Sequence, residues 1–367
     1  MTILKALCSI PTAPFVESRV YQYVESFARQ RRKLKLTRDR FGNRLLVLTV
    51  NAKPPRIVFV AHTDYPCFVA RRMVDMQTGE ADFRGGVLRE YVEGARVKFF
   101  DGEREIAGVV IGTTPDKERP RLPVRATVRV KSAVSKNSPG MFDQGEGRFK
   151  GKKFLSRVCD DLAGAAAALT MLDQLHGKSS KPRATVAVLL TRAEEEGFIG
   201  AIAAAMEPRL LRKEDLILSI ECSAIQPYAQ QGDGVIIRVG DRISVFDSAL
   251  TFFLTQQAEQ LSNRDKKFKF QRCLMPGGAC EATAFSAWGF RAAAMCVPLG
   301  NYHNMDRDKK KIGPEFIDVD DWKNMVKLFV AVATNSQQFS PNMGPLRTRL
   351  EKRFRRLRPL LLDQAGS

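Results

Sequence analysis

After residue 153 the chain alternates apolar, strand-like runs with helical patterns almost without a break, and this alternation narrows the possible folds more than any other feature. DDLAGAAAALTMLDQLH, ATVAVLLT, GFIGAIAAAM, DLILSIE, GVIIRVG, DSALTFFLTQQAEQL, EATAFSAWG, RAAAMCVP and VDDWKNMVKLFVAVAT follow one another in that order. Short apolar runs with polar ends suit strands buried on both faces, and longer segments with 3.6-residue periodicity suit the helices that cover them. The expected class is α/β: a three-layer sandwich with a mixed, largely parallel central sheet. Upstream, PFVESRVYQYVESFARQ has apolar residues at helical spacing, so residues 14–31 read as an amphipathic helix, and KLKLT, NRLLVLTV and RIVFVAHTD read as strands.

Between residues 69 and 152 the texture changes to short β-rich pieces, ARVKFF, REIAGVVIG and RATVRVK, separated by Gly, Pro and charged turns. That is the pattern of a small β-barrel. The expected organisation is a discontinuous α/β domain (residues 1–68 and 153–338), an inserted β-rich domain (69–152) and a basic tail (339–367) in which Pro359 closes the charged pattern.

In open α/β sheets, chemistry collects beyond the carboxyl ends of the strands. Those ends carry Ala61-His62-Thr63-Asp64, Glu194-Glu195-Glu196, Glu221-Cys222 and Asn301-Tyr302-His303, and the return from the insert carries Val158-Cys159-Asp160-Asp161. Two of the three histidines fall here; His176 ends a helix and reads as a partner of its dipole. Asp160-Asp161 and Glu196 also fit the first turn of a helix, and that role is the expectation for Glu196. Capping does not explain why four acidic segments and two histidines share one sheet edge. Bound divalent cations do, because adjacent carboxylates oppose one another's ionisation unless a cation compensates. Oxygen and imidazole donors without thiolate suit zinc, cobalt or manganese.

The ordered set AHTD, VCDDLAG, AEEEGFIGA, SIECS, MPGGACEATAFS and VPLGNYHN, with a β-rich insert between the first two, resembles the tetrahedral (glutamyl or deblocking) aminopeptidase family of dinuclear metallo-exopeptidases. The resemblance spans about residues 4–336. It implies two divalent ions per chain, with Asp160 bridging them, His62 and Glu221 completing one site, and Glu195 and His303 the other. It further implies that Asp64 orients His62, that Glu194 is the general base, that peptides are the substrates, and that the chain forms homo-oligomers, a dimer or larger. The sequence departs from the family pattern at three places. Glu221 stands where aspartate is usual, and it resembles the deacylase and carboxypeptidase branch of the same superfamily. Glu281 in GGACEAT stands near a usual aspartate, either replacing it or occupying a helix's first turn. Leu162 replaces an arginine. An N-acyl amino acid deacylase or carboxypeptidase using the same site, and an inactive relic that binds polyanions, are the alternatives.

The formal net charge is +19, with basic runs at residues 29–44 and 346–358. No helix-turn-helix, zinc-finger spacing or ribonucleoprotein motif accompanies them, so nucleic acid is a secondary expectation. Seven scattered cysteines without a C-x-x-C pair point to reduced thiols rather than a disulfide framework. No apolar run is long enough to cross a bilayer and no signal peptide is evident, so the expected location is the cytoplasm and no membrane partner is expected.

Overall fold

The structure, a computed structural model, describes residues 1–48, 53–177 and 184–364. The last two residues of NRLLVLTV and the last three of the tail lie outside the described residues.

Four parallel strands, Ala184–Thr191, Lys53–His62, Leu216–Ala224 and Arg291–Gly300, form the centre of an eleven-stranded sheet. Their interiors are apolar without alternation because both faces are covered: Ile57 through Ala61 and Val186 through Leu190 are fully buried. Antiparallel strands extend the sheet on both sides, Arg44–Leu48 and Leu34–Arg38 on one, Glu315–Asp318 and the hairpin Arg148–Lys150/Lys153–Ser156 on the other. Val235–Gly240 and Phe270–Leu274 branch from Arg291–Gly300. The observed fold is the expected three-layer sandwich.

Helix positions follow the sequence patterns closely. The alanine-rich Leu162–Gly177 helix buries nearly its whole surface against Val319–Thr334, Thr2–Cys8 and the sheet. Small side chains let these helices approach closely, and Trp322 fixes the contact by donating its indole N–H to the Ala163 carbonyl at 2.8 Å. The helix expected over residues 14–31 is shorter, Ser18–Arg29. Phe15 adopts a left-handed conformation (φ 66°), and the buried Glu17 side chain accepts from Ala193 N–H rather than joining a helix.

The insert is a closed six-stranded barrel in the order Cys67–Met73, Thr78–Arg84, Pro123–Val130, Arg104–Pro115, Arg96–Asp101, Pro139–Phe142. Phe68 packs edge-on against Phe83 and Phe142 at its centre. Gly140 is required there, since a Cβ would come within 2.5 Å of the Phe99 ring. Within the basic tail, Gly344–Gln364 is one helix, which continues through Pro359, where the charged pattern closes. An exposed helix tolerates a proline because water can satisfy the carbonyl that the missing N–H leaves free.

At the start of the central strand, the Arg56 Nε donates to Asp215 Oδ1 at 2.8 Å and its Nη2 to the Leu210 carbonyl at 2.9 Å, with both charged groups buried. Removing one partner strands the other charge in the interior, so Asp215→Ala should lower the unfolding free energy by about 3–5 kcal/mol. Chemical denaturation checks this; a loss below about 1 kcal/mol, the value of an exposed pair, would contradict it.

Candidate metal centre

The parallel register sets the site: Thr191 lies beside His62, and Leu216–Ala224 runs alongside, so the strands release their acidic and imidazole residues at the same edge. Beyond Thr191 the chain turns through Ala193 in a left-handed conformation (φ 50°) into a single 3-10 turn, Glu194–Glu196. Beyond Gly300, Asn301, His303 and Asn304 are all left-handed, which folds the chain back so that the His303 ring returns over the sheet edge. Strained backbone of this kind persists only where its surroundings hold it.

The sequence-predicted residues converge. His62, Asp160 and Glu221 present ligand atoms within 4.8 Å of one another, and so do Asp160, Glu195 and His303. A further triad of His62, Glu194 and Glu195 overlaps both. His62 Nε2 lies 3.6 Å from Asp160 Oδ1 and 3.9 Å from Glu194 Oε2, and His303 Nε2 lies 3.3 Å from Glu195 Oε1 and 3.8 Å from Asp160 Oδ2. Asp64 stands 3.5 Å from His62 Nδ1 and accepts the Glu194 and Glu195 N–H groups at 3.0 and 3.1 Å.

These residues fit a cation. The His303 Nδ1 is 2.8 Å from the Gly86 carbonyl, which can only accept, so Nδ1 carries the proton and Nε2 turns a lone pair towards two carboxylates. His303 Nε2 and Glu221 Oε1 are buried without hydrogen-bond partners. Burial pushes the Glu221 carboxyl up to about 8, the Asp160 charge adds to this, and His62 opposes it. Burial also raises Glu194, aided by the charges of Glu221 and Glu195 and opposed by His62. Against the penalty of burial, Glu195 and Asp160 lift the His303 imidazole to about 9. Glu221, Glu194 and His303 are each shifted towards holding a proton, as expected of buried groups that lack a compensating positive charge, and a bound cation would supply it.

Cys222 touches the same cluster, but its thiol lies 3.6 Å from the Cys159 carbonyl and burial raises it well above its ordinary value, so it stays a neutral donor. Glu281 sits in the first turn of the Glu281–Ala287 helix, fully buried, with neither carboxyl oxygen hydrogen-bonded. Glu196 corrects the sequence expectation: instead of capping a helix it accepts the Gly85 N–H of the barrel at 2.8 Å. His176 ends the Leu162–Gly177 helix, where it was placed.

Sequence reasoning missed Glu315. Its buried carboxylate accepts three backbone N–H groups, from Cys159 at 2.6 Å, Asp160 at 3.2 Å and His303 at 2.8 Å, and so ties together the segments that carry Asp160 and His303. The only local signal was a glutamate following Gly-Pro, which carries no metal motif. A cavity of about 390 Å³ adjoins the cluster, lined by Asp160, Glu221, Gln226, Arg238, Tyr302 and Arg307. A larger hollow on the barrel wall around Val109 and Arg129 has no histidine and a single acid, Asp143, and offers no such chemistry.

A buried oxygen- and imidazole-lined edge on an α/β/α sheet, with a cavity beside it, is the arrangement a metal-dependent hydrolase would use. Residues 42–328 match the sequence profile of the M42 glutamyl aminopeptidase family, and the chain belongs to that family. It is accordingly a metallo-aminopeptidase, a hydrolase of peptide bonds. A comparison with curated proteins gives no match. Among solved structures, an aminopeptidase from the archaeon Desulfurococcus kamchatkensis shares the fold with a TM-score of 0.76 at 20% identity, covering 93% of this chain and 95% of that one. The TET1 peptidase of Pyrococcus horikoshii, which can assemble into a tetrahedron or a large octahedral shell, gives 0.73 at 21% identity over 91% and 99% of the two chains. A TET aminopeptidase from a marine-sediment Thaumarchaeota archaeon gives 0.74 at 18% identity over 91% and 96%.

Glu315→Ala would leave three buried N–H donors without an acceptor, each costing about 1–3 kcal/mol unless water enters. The expected outcome is a loss of at least about 2 kcal/mol in stability together with faster hydrogen exchange at the Cys159, Asp160 and His303 amides. Unchanged exchange at those three positions would show that Glu315 is not the clamp.

Proposed function

We propose that the cluster holds two divalent ions and that the chain removes N-terminal residues from peptides. The observation that carries this reading is that Asp160 belongs to two histidine–carboxylate triads at once. Asp160 would be shared, with His62 and Glu221 holding one ion and Glu195 and His303 the other. Zinc or cobalt suits the donor set best, and manganese is compatible. When bound, such a pair lowers the pKa of water and polarises a carbonyl oxygen.

The remaining groups have assignable work. Glu194 is needed by neither triad and projects from the same turn as Glu195, so its carboxylate can take the proton of the attacking water and return it to the departing amine. Asp64 positions two elements together: it faces His62 Nδ1 and holds the amides of Glu194 and Glu195, fixing the base relative to the ligand. Glu221 would also receive the free amino group of the substrate, and its longer side chain reaches further into the cavity than an aspartate would.

Arg238 and Arg307 on the cavity wall favour an acidic first side chain. The complete donor set disfavours an inactive polyanion-binding relic. Family membership disfavours the deacylase or carboxypeptidase alternative, which side-by-side assay of free-amine and N-blocked substrates tests directly. Assembly of the kind described for the TET1 peptidase extends to this chain as a proposal, a homo-oligomer of two or more copies, and light scattering measures it.

Purified protein should contain close to two divalent ions per chain, lose hydrolysis of aminoacyl substrates to a chelator and regain it with zinc or cobalt. Glu194→Gln should retain the metal while kcat falls roughly 10²–10⁴-fold; a variant with full turnover removes Glu194 from the mechanism. Arg307→Ala should lower kcat/KM for a glutamyl substrate about ten-fold relative to a leucyl one, as expected for a lost charge-assisted hydrogen bond, and an equal effect on both would refute the acidic preference.

A further inference from the structure

The Gly344–Gln364 helix lies outside the family match, and every residue from Arg347 to Leu362 is exposed. Leu350, Phe354, Leu357, Leu360 and Leu361 are 55, 55, 37, 63 and 63% exposed, and none of them joins a core cluster among the described residues. With Leu346, the positions 346, 350, 354, 357 and 361 recur every three or four residues, so they form one continuous stripe, roughly 24 Å long at the helical rise. Arginines border the stripe on both sides, Arg347 and Arg358 along one edge, Arg349 and Arg356 along the other, and Arg353 lies within it. The only acid among residues 346–358 is Glu351, 3.0 Å from Arg347. The other basic run differs: Arg31, Arg40 and Arg44 each pair with an acid of the domain.

An exposed apolar stripe edged by cations needs an occupant that is both anionic and apolar. A second copy would set seven cations against seven on chains that each carry +19. Nucleic acid would satisfy the arginines and leave the leucines in water. A protein groove deep enough to take the stripe would have to bury Arg353. An anionic lipid surface meets all three requirements: the stripe enters the boundary between headgroups and acyl chains, the flanking arginines meet phosphate and carboxylate groups, and Arg353 reaches up along its own stem. We propose that the Gly344–Gln364 helix lies flat on an anionic lipid surface and holds the peptidase domain there. This departs from the sequence expectation of no membrane partner. It concerns binding at the surface, since no described helix is long and apolar enough to cross a membrane.

The test is co-flotation of the full chain with vesicles of phosphatidylcholine alone or mixed with phosphatidylserine. Binding is expected to the mixed vesicles only and to weaken with salt. Arg356→Glu with Arg358→Glu should weaken it by at least ten-fold, given roughly five-fold per basic residue near the surface. Leu350→Glu with Phe354→Glu and Leu361→Glu should abolish it while leaving thermal stability and peptide hydrolysis unchanged, because these side chains are exposed and join no core cluster among the described residues. Equal binding to neutral vesicles, no binding to anionic ones, or full binding by the leucine variant would overturn the proposal. So would RNA binding that survives the leucine changes in a protein that ignores vesicles, or loss of oligomeric mass on making those changes in such a protein.

Discussion

The structure is organised around concentrated negative charge at one buried sheet edge. Eight carboxylates, those of Asp64, Asp160, Asp161, Glu194, Glu195, Glu221, Glu281 and Glu315, gather where few protein cations reach them, and their side chains are almost entirely shielded from water. Two contrasting kinds stand out among them. Asp64 and Glu315 are saturated by backbone N–H groups, and their charge is spent in fixing loops. Glu221 and the imidazole of His303 are left with open donor atoms aimed inwards. The first kind shapes the site so that the second kind cannot relax away from one another. A fold that merely tolerated acidic residues would turn them to solvent; this one holds them in place, which makes sense when dications supply the missing charge.

The barrel is part of that arrangement. Its Gly85–Gly86 segment contributes the N–H that binds Glu196 and the carbonyl that sets the His303 tautomer. Arg84 donates to the Pro14 carbonyl at 2.6 Å, and Tyr65, just before the barrel, donates to Asn304 at 2.8 Å. The insert therefore closes over this acidic edge through short polar contacts and decides which nitrogen of His303 is free. Its own aromatic core lets it do this as a stiff unit. The large net positive charge, by contrast, has little to do with the site: part of it is paired with acids on the domain surface, and the Gly344–Gln364 helix carries a further share with one ion pair among the described residues, Arg347 to Glu351.

Helix and strand positions were largely legible because the α/β layers impose simple periods, unbroken apolar runs for buried strands and small-residue stretches such as AGAAAALTML for close-packed helices. The convergence of the proposed ligand residues was legible because strand ends in this architecture meet at one edge. Glu315 was not, since a carboxylate that serves backbone amides leaves no spacing pattern. Glu196 was misread for a related reason: its partner, Gly85, is remote in sequence, and a local rule for helix starts was the only guide. The helix through Pro359 escaped notice because proline lowers helix propensity locally while the arginine- and leucine-rich turns on either side sustain it.

The sequence alone determined the layer architecture, the presence of an inserted barrel and the family to which the chain belongs, because each rests on patterns of residue type along a contiguous stretch. Only the tertiary structure decided that Asp160 faces both histidines, that Gly86 selects the imidazole tautomer and that Glu315 binds the segments of Asp160 and His303 together. Those are distances and directions between segments far apart in the chain, and they are fixed by strand register and by left-handed turns whose side-chain consequences no one-dimensional pattern encodes.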